Sequence, residues 1–342
     1  MEGVDETPTT AWLAGNVGLE PPLSFDLVAG GRSNLTFRVT DATGREVVLR
    51  RPPTGHVLPT AHDMRREHRI VSALGPTAVP VPETLGLCED ESVNGAPFYV
   101  MEYVHGHVLR DTATAEKEMD DAGRRRASES VVEVLAALHA VDVDAVGLGD
   151  LGRREGYLSR QLERWHGQFD KSQVEGVERP DLVDKIYERL SSSIPTQQGS
   201  TIVHGDYRLD NTMLSDDGSV IAVLDWEICT LGDPLADMWL LMVYWSEPGD
   251  EVTALNVAPT MAPGFAGRAE LRERYAAATG RDLVALDYYV AFGYWKLACI
   301  LQGVFARYLG GAGGGDRSGV GMFGEHVRLL AQAAEQSLIG VA

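Results

Sequence analysis

The sequence predicts an α+β protein of two lobes, a small β-rich lobe over residues 1–104 and a larger, mainly helical one over residues 105–342. Three observations carry this reading. A chain of 342 residues, at about 150 residues per domain, has room for two such bodies. Short runs rich in β-branched and aromatic residues crowd into its first third. Beyond Val104, long apolar stretches of helical period take over, interrupted by one strand–turn–strand segment.

Residues 25–110 read as strands with one helix. The runs 37–39 and 46–51 flank the turn signal Asp41-Ala42-Thr43-Gly44 and predict a hairpin. Pro52-Pro53 ends the second run, because proline cannot donate to a ladder. Over 61–74, Met64, Glu67, Ile70, Val71 and Leu74 fall on one helical face, and Gly75-Pro76 stops the helix. After the extended Val79-Pro80-Val81-Pro82, residues 98–104 predict the strand that links the lobes. Helices are predicted at 131–141, 156–169 and 181–192. Between 201 and 231 the β runs 213–214 and 220–224 flank Asp216-Asp217-Gly218, and an Asp-Gly pair between apolar runs is a strong hairpin signal. Further helices are predicted at 234–246, at 268–279 with Gly280 as cap, at 286–309 and at 324–338, with a Pro- and Gly-containing loop at 247–266.

Hydrophobic residues make up 44% and charged residues 23%, which is ordinary for a globular chain. The net charge of −20 repels phosphate backbones, so neither nucleic acid nor an anionic membrane is an expected partner. Cys88, Cys229 and Cys299 lie far apart in apolar stretches, which suits buried free thiols in a reducing compartment. The acidic N-terminus does not resemble the start of a signal peptide, and the apolar stretch 288–309 is interrupted by Lys296, Gln302 and Arg307, as suits a buried helix. A cytoplasmic location is the expectation. Oligomeric state is not legible.

The chemistry concentrates between Ile202 and Asp225. An apolar strand runs into His204-Gly205-Asp206, Asn211 follows, and Asp225 stands at the end of the 220–224 run. Two carboxylates and an amide oxygen brought together by a hairpin suit Mg²⁺ bound to phosphates. Phosphoryl transfer needs one carboxylate to orient an acceptor hydroxyl and others to hold the metal. Asp206 suits the first task; Asn211 and Asp225 suit the second.

His204-Gly205-Asp206-x-x-x-x-Asn211, followed by Leu224-Asp225-Trp226-Glu227, resembles the aminoglycoside phosphotransferase family, whose fold is related to that of protein kinases. The resemblance covers roughly residues 25–310. It extends through Gly30-Gly31-Arg32-Ser33-Asn34 to the subgroup that includes domains fused to acyl-CoA dehydrogenases. It implies a bilobal kinase-like fold, ATP and Mg²⁺ as cofactors, and a small hydroxylated molecule as phosphate acceptor. Gly30, Gly31, Ser33 and Asn34 are then expected at the phosphates, and the backbone of Glu102 and Val104 at adenine. Kinases place a lysine on the next strand; residues 1–104 contain none, so Arg50 takes that position, with Glu67 as its ion-pair partner. Asp237 is expected to brace the His204 loop, and His139 to be structural. A protein kinase would carry a long segment ending in Ala-Pro-Glu, whereas here Gly232-Asp233-Pro234 arrives seven residues after Asp225. An inactive nucleotide-binding pseudokinase is the alternative, but both Asp206 and Asp225 are retained. The acceptor is expected over Asp206, against the segments 247–309. Overall acidity favours a cationic acceptor such as an aminoglycoside; Lys296, Arg307 and the subgroup favour an anionic one such as a hydroxyacyl thioester, which is the preferred reading over an aminoglycoside or small alcohol.

Overall fold

The computed structural model describes residues 2–29, 34–54, 62–173, 179–250, 258–309 and 320–339. The chain opens with α1 (Glu6–Asn16), which the sequence reading missed; it buries only Thr9 and Leu13, too few positions to show a period. Strands β1 (Ser24–Ala29), β2 (Leu35–Thr40) and β3 (Glu46–Arg51) precede helix α2 (Met64–Leu74); β4 (Thr84–Cys88), the short α3 (Glu91–Asn94) and β5 (Phe98–Glu102) follow. The five strands form one antiparallel sheet in the order β1-β2-β3-β5-β4. The predicted hairpin is β2–β3, in which Phe37 lies opposite Leu49 and Val39 opposite Val47, all four buried.

Helix α2 begins where the Asp63 carboxylate accepts the N–H groups of Arg65 and Arg66, a cap that satisfies donors the helix cannot. Its buried face is the one that the spacing predicts: Met64, Glu67, Ile70, Val71 and Leu74. Ile70, Val71 and Leu74 join the main apolar core, while Met64 packs with Val48, Tyr99 and Met101 beside the sheet. The helix therefore carries Glu67 to the seam between the two bodies.

The helical lobe comprises α4 (Thr112–Glu118), α5 (Asp121–Ala140), α6 (Tyr157–Lys171), α7 (Asp181–Ser192), α8 (Leu235–Tyr244), α9 (Arg268–Thr279), α10 (Leu286–Leu309) and α11 (Val320–Ile339). Two antiparallel ribbons are inserted in it. β7 (Thr212–Leu214) pairs with β8 (Val220–Val223), the hairpin read from Asp217-Gly218, and β6 (Thr201–Val203) pairs with β9 (Thr230–Gly232). α5 starts at Asp121 rather than at 131, because Asp120 caps it and its first turns bury Gly123, Arg124, Ala127 and Ser128 instead of an apolar stripe. α10 is long and apolar enough to cross a membrane by length and composition, yet 67% of that stretch is buried against α6, α7, α8 and α11.

Candidate active site

Strand β6 delivers Ile202 and Val203 into the loop His204-Gly205-Asp206. Backbone N–H groups buried at a strand end must find acceptors. Asp237, fully buried in the first turn of α8, accepts both: from His204 at 2.7 Å and from Gly205 at 2.8 Å. Gly205 turns the chain at φ +87°, a backbone state that side chains with a Cβ rarely adopt. The His204 imidazole accepts the Asp206 N–H on Nδ1 at 3.2 Å and donates from Nε2 to the Leu224 carbonyl at 2.9 Å. One ring thus ties the loop to the residue before Asp225. His139 is buried between the Tyr275 hydroxyl at 2.6 Å and Asp237 at 3.4 Å, the structural role expected of it.

Asn211 donates from Nδ2 to the carbonyl of Asp206 at 2.9 Å and to its Oδ2 at 2.8 Å. Its amide nitrogen is thereby committed to Asp206, and its oxygen is the end left for a cation. Arg208 lies 3.3 Å from the other Asp206 oxygen and 3.1 Å from Asp210. Asp225 sits just past β8 at φ +65°. Its carboxylate is bonded to the Arg50 guanidinium, which also pairs through Nε with Glu67 at 2.9 Å. The expected Arg50–Glu67 pair is present, and Arg50 extends it to the Asp225 carboxylate.

Glu67 is 2% exposed and has three partners: Arg50, the Tyr99 hydroxyl at 3.2 Å and Asn34 Nδ2 at 3.3 Å. Burial pushes its carboxyl up and Arg50 pulls it back. Burial works against the Arg50 charge as well, but Glu67, Tyr99, Asp225 and Glu227 outweigh it and raise the guanidinium above its ordinary value. Asn34 Nδ2 also donates to Glu227 Oε2 at 3.2 Å, and its Oδ1 lies 2.8 Å from His62 Nδ1. Sequence reasoning assigned nothing to Glu227 or His62; no spacing signal connects them to Asn34. Gly30, Gly31 and Ser33 lie outside the described residues.

Two cavities of about 400 Å³ each flank the His204–Asn211 loop. The first lies under the sheet and is lined by Arg50, Glu67, Glu102, Val104, Asn211 and Asp225 among others. The Glu102 N–H is taken by the Glu83 carbonyl at 2.8 Å, so of its two backbone groups only the carbonyl is left for a ligand there. Four carboxylates (Glu67, Glu102, Asp210 and Asp225) and two guanidiniums (Arg50 and Arg110) line it. Burial pushes the carboxyls of Asp210 and Glu227 up, with Asp206 adding to it at Asp210 and Asp225 and Asp206 adding to it at Glu227. The surplus of hard oxygen donors lining this cavity fits Mg²⁺.

The second cavity has the opposite balance: among the described residues Asp206 is its single carboxylate, against Arg66, Arg164 and Lys296. Lys296 is 9% exposed, with its ammonium 5.4 Å from the Trp165 ring and 5.3 Å from the Trp239 ring. Burial lowers its pKa to about 8. Helix α6, to which the sequence reading gave no role, supplies Tyr157, Arg164 and Trp165 to this wall. Arg307 stands exposed near the end of α10 and does not line the cavity, nor do the described residues of 247–266. Of the two cations expected there, Lys296 lines the cavity and Arg307 does not; Arg164 of α6 is found in its stead.

A model of the phosphotransferase enzyme family, APH, matches residues 24–289. The chain belongs to this family. Its relatives include acyl-CoA dehydrogenase family member 10 of mouse, 36% identical over 84% of this chain, and family member 11 of chicken, 34% identical over 92%. The chain spans 27% and 40% of the length of those two proteins. Among solved structures, a candidate aminoglycoside phosphotransferase from Ralstonia eutropha superposes with a TM-score of 0.80 at 34% identity, covering 98% of each chain. Aminoglycoside 2'-phosphotransferase-IIIa, in its GDP complex, superposes at 0.65 with 15% identity over 96% of this chain and 99% of its own. This APH-family chain has the bilobal kinase-like α+β fold that its motifs imply.

Proposed function

We propose that this protein transfers the γ-phosphoryl group of ATP, with Mg²⁺, to a hydroxyl of a small molecule. The observation that carries this reading is the position of Asp206. It lines one cavity, while Asn211, bonded to it, lines the other beside Asp225. Residues 1–104 would hold the nucleotide: Gly30, Gly31, Ser33 and Asn34 over the phosphates, Arg50 oriented by Glu67, and the backbone of Glu102 and Val104 at adenine. Residues 105–342 would supply catalysis and the acceptor site. Asn211 and Asp225 would hold Mg²⁺, which neutralises charge on the phosphates. Asp206 orients the acceptor hydroxyl and takes its proton; Asn211 and Arg208 fix the carboxylate that does so. Transfer is then positioning and charge neutralisation, without a covalent enzyme intermediate.

The presence of Asp206 and Asn211, bonded to each other, and of Asp225 beside Asn211 in the first cavity speaks against an inactive pseudokinase. For the acceptor, the cationic second cavity and the acyl-CoA dehydrogenase relatives favour a hydroxyacyl thioester over a polycationic aminoglycoside. The test is ADP release from Mg-ATP against hydroxyacyl thioesters, aminoglycosides and small alcohols. Turnover confined to hydroxyacyl acceptors is expected; turnover with aminoglycosides alone overturns the acceptor assignment, and none with any acceptor overturns the kinase reading.

A further inference from the structure

Lys296 is a cation that the family motifs leave unexplained. It comes from the middle of α10, one of the most apolar helices of the chain, and its ammonium is enclosed by two indole rings. Burying an ammonium costs free energy unless it is paired. The structure gives it cation–π contacts to Trp165 and Trp239 and no carboxylate within ion-pair distance among the described residues. The indoles hold the charge in place but leave its hydrogen-bonding capacity, three donors, facing the cavity. Arg164, exposed on α6, adds a second guanidinium at the same wall, stacked over Trp165 at 5.1 Å. In a chain of net charge −20, the described residues of this cavity gather three cations around one carboxylate. The rest of its lining is largely apolar, including Ile228, Leu297 and Ile300.

We propose that Lys296 is the residue that positions the acceptor: its ammonium holds an oxyanion of a hydroxylated, partly apolar molecule so that the hydroxyl falls on Asp206. This rests on the kinase reading for Asp206, but the binding preference it predicts does not. Carboxylate and phosphate are the two sources of such an oxyanion: a free hydroxy acid supplies the first, whereas a hydroxyacyl thioester, which has no carboxylate, supplies an oxyanion only through phosphates of its carrier. Polycationic acceptors are disfavoured by the same ammonium. Lys296 touches no reacting atom; it acts by fixing where the acceptor lies.

Trp165 and Trp239 report on the site directly, through their fluorescence. The holoprotein with Mg-ADP is titrated with hydroxybutyrate, with the diol of the same carbon skeleton, with glycerol phosphate and with kanamycin. The expected result is saturable quenching by the oxyanions, with hydroxybutyrate bound about ten- to hundredfold more tightly than its diol. Lys296→Met removes that preference, Lys296→Arg partly restores it, and the nucleotide affinity is unchanged in both. In turnover the same variants raise the acceptor KM and leave the KM for ATP unchanged. Phosphate and carboxylate arms separate the two sources: whichever binds more tightly names the group. If Lys296→Met does not fold, Arg164→Gln, at an exposed position, is expected to weaken oxyanion binding about threefold or more. Equal affinity for the acid and its diol in the wild type overturns the proposal, as does a preference that survives Lys296→Met. Oxyanion preference without any phosphoryl transfer overturns the kinase reading and leaves Lys296 in its role.

Discussion

Asp206 is held on both sides: Asn211 donates to one carboxylate oxygen and Arg208 approaches the other. Replacing it by Asn keeps the shape but removes the base. Asp206→Asn is expected to lose about 10²–10⁴ in rate, with nucleotide affinity by calorimetry unchanged because the side chain faces the second cavity. Arg50 and Glu67 form one unit with Tyr99 and Asn34. Arg50→Ala alone leaves a 2% exposed carboxylate unpaired, a loss of about 3–5 kcal/mol in such settings. The double variant with Glu67→Ala should be little worse than either single in ATP use, and in urea unfolding more stable than the sum. Additive effects in both measurements would show that the pair is not a unit. Lys296 makes a pH signature. Its pKa falls to about 8 in the folded protein against 10.5 for an ordinary lysine, so the unfolded chain binds the extra proton between those values. Stability of the wild type relative to Lys296→Met should therefore rise with pH across that window, by about 3 kcal/mol in total. A flat difference from pH 7.5 to 10.5 would mean that the ammonium is solvated.

At the scale of elements, the second cavity depends on how closely α8 and α10 approach. Gly293 of α10 lies against Trp239 of α8: a Cβ there would fall 2.1 Å from the indole Cε3. The missing side chain is what lets Trp239 lie flat enough to wall in Lys296. Gly293→Ala should cost about 1–3 kcal/mol by overpacking and, by displacing Trp239, raise the acceptor KM while the KM for ATP holds. Unchanged unfolding midpoint and kinetics would show that the helices relax freely. The β6–β9 and β7–β8 ribbons do the corresponding work for the catalytic loop. They set His204 and Asp225 side by side, and the His204–Leu224 bond at 2.9 Å locks the two ribbons together.

For the molecule as a whole, the side chains that join the sheet and α2 to the helical lobe include Arg50 reaching Asp225, Asn34 reaching Glu227, Arg66 on the carbonyls of Glu227 and Cys229, and Arg69 on Asp150. A nucleotide bound at this seam stabilises the folded state by mass action, about 2.7 kcal/mol at a hundredfold excess over Kd. Mg-ATP is expected to raise the Tm by a few degrees, and Asp225→Ala to abolish the Mg²⁺-dependent part of that shift. An equal shift with and without Mg²⁺ in the wild type would remove Asp225 from metal binding.

Local chemistry was legible in the sequence where a residue's neighbours along the chain decide its state. The helical face of α2, the Asp217-Gly218 turn, the cap at Gly280 and the order His204-Gly205-Asp206, Asn211, Asp225 all follow from spacing, and the structure brings these last residues together. The Arg50–Glu67 pair was legible too, because a carboxylate on an apolar helical face demands a partner. What the sequence left open depends on distant segments meeting. β9 is three residues whose pairing with β6 exists only once the loop between them has folded. α1 buries two side chains and carries no period of its own. Glu227 and His62 find Asn34 from opposite sides of the seam. The cationic wall of the second cavity needed α6 laid beside α10, and it replaced Arg307 with Arg164: a charge's position along a helix fixes its face, but the element that packs against that face is decided by the tertiary fold.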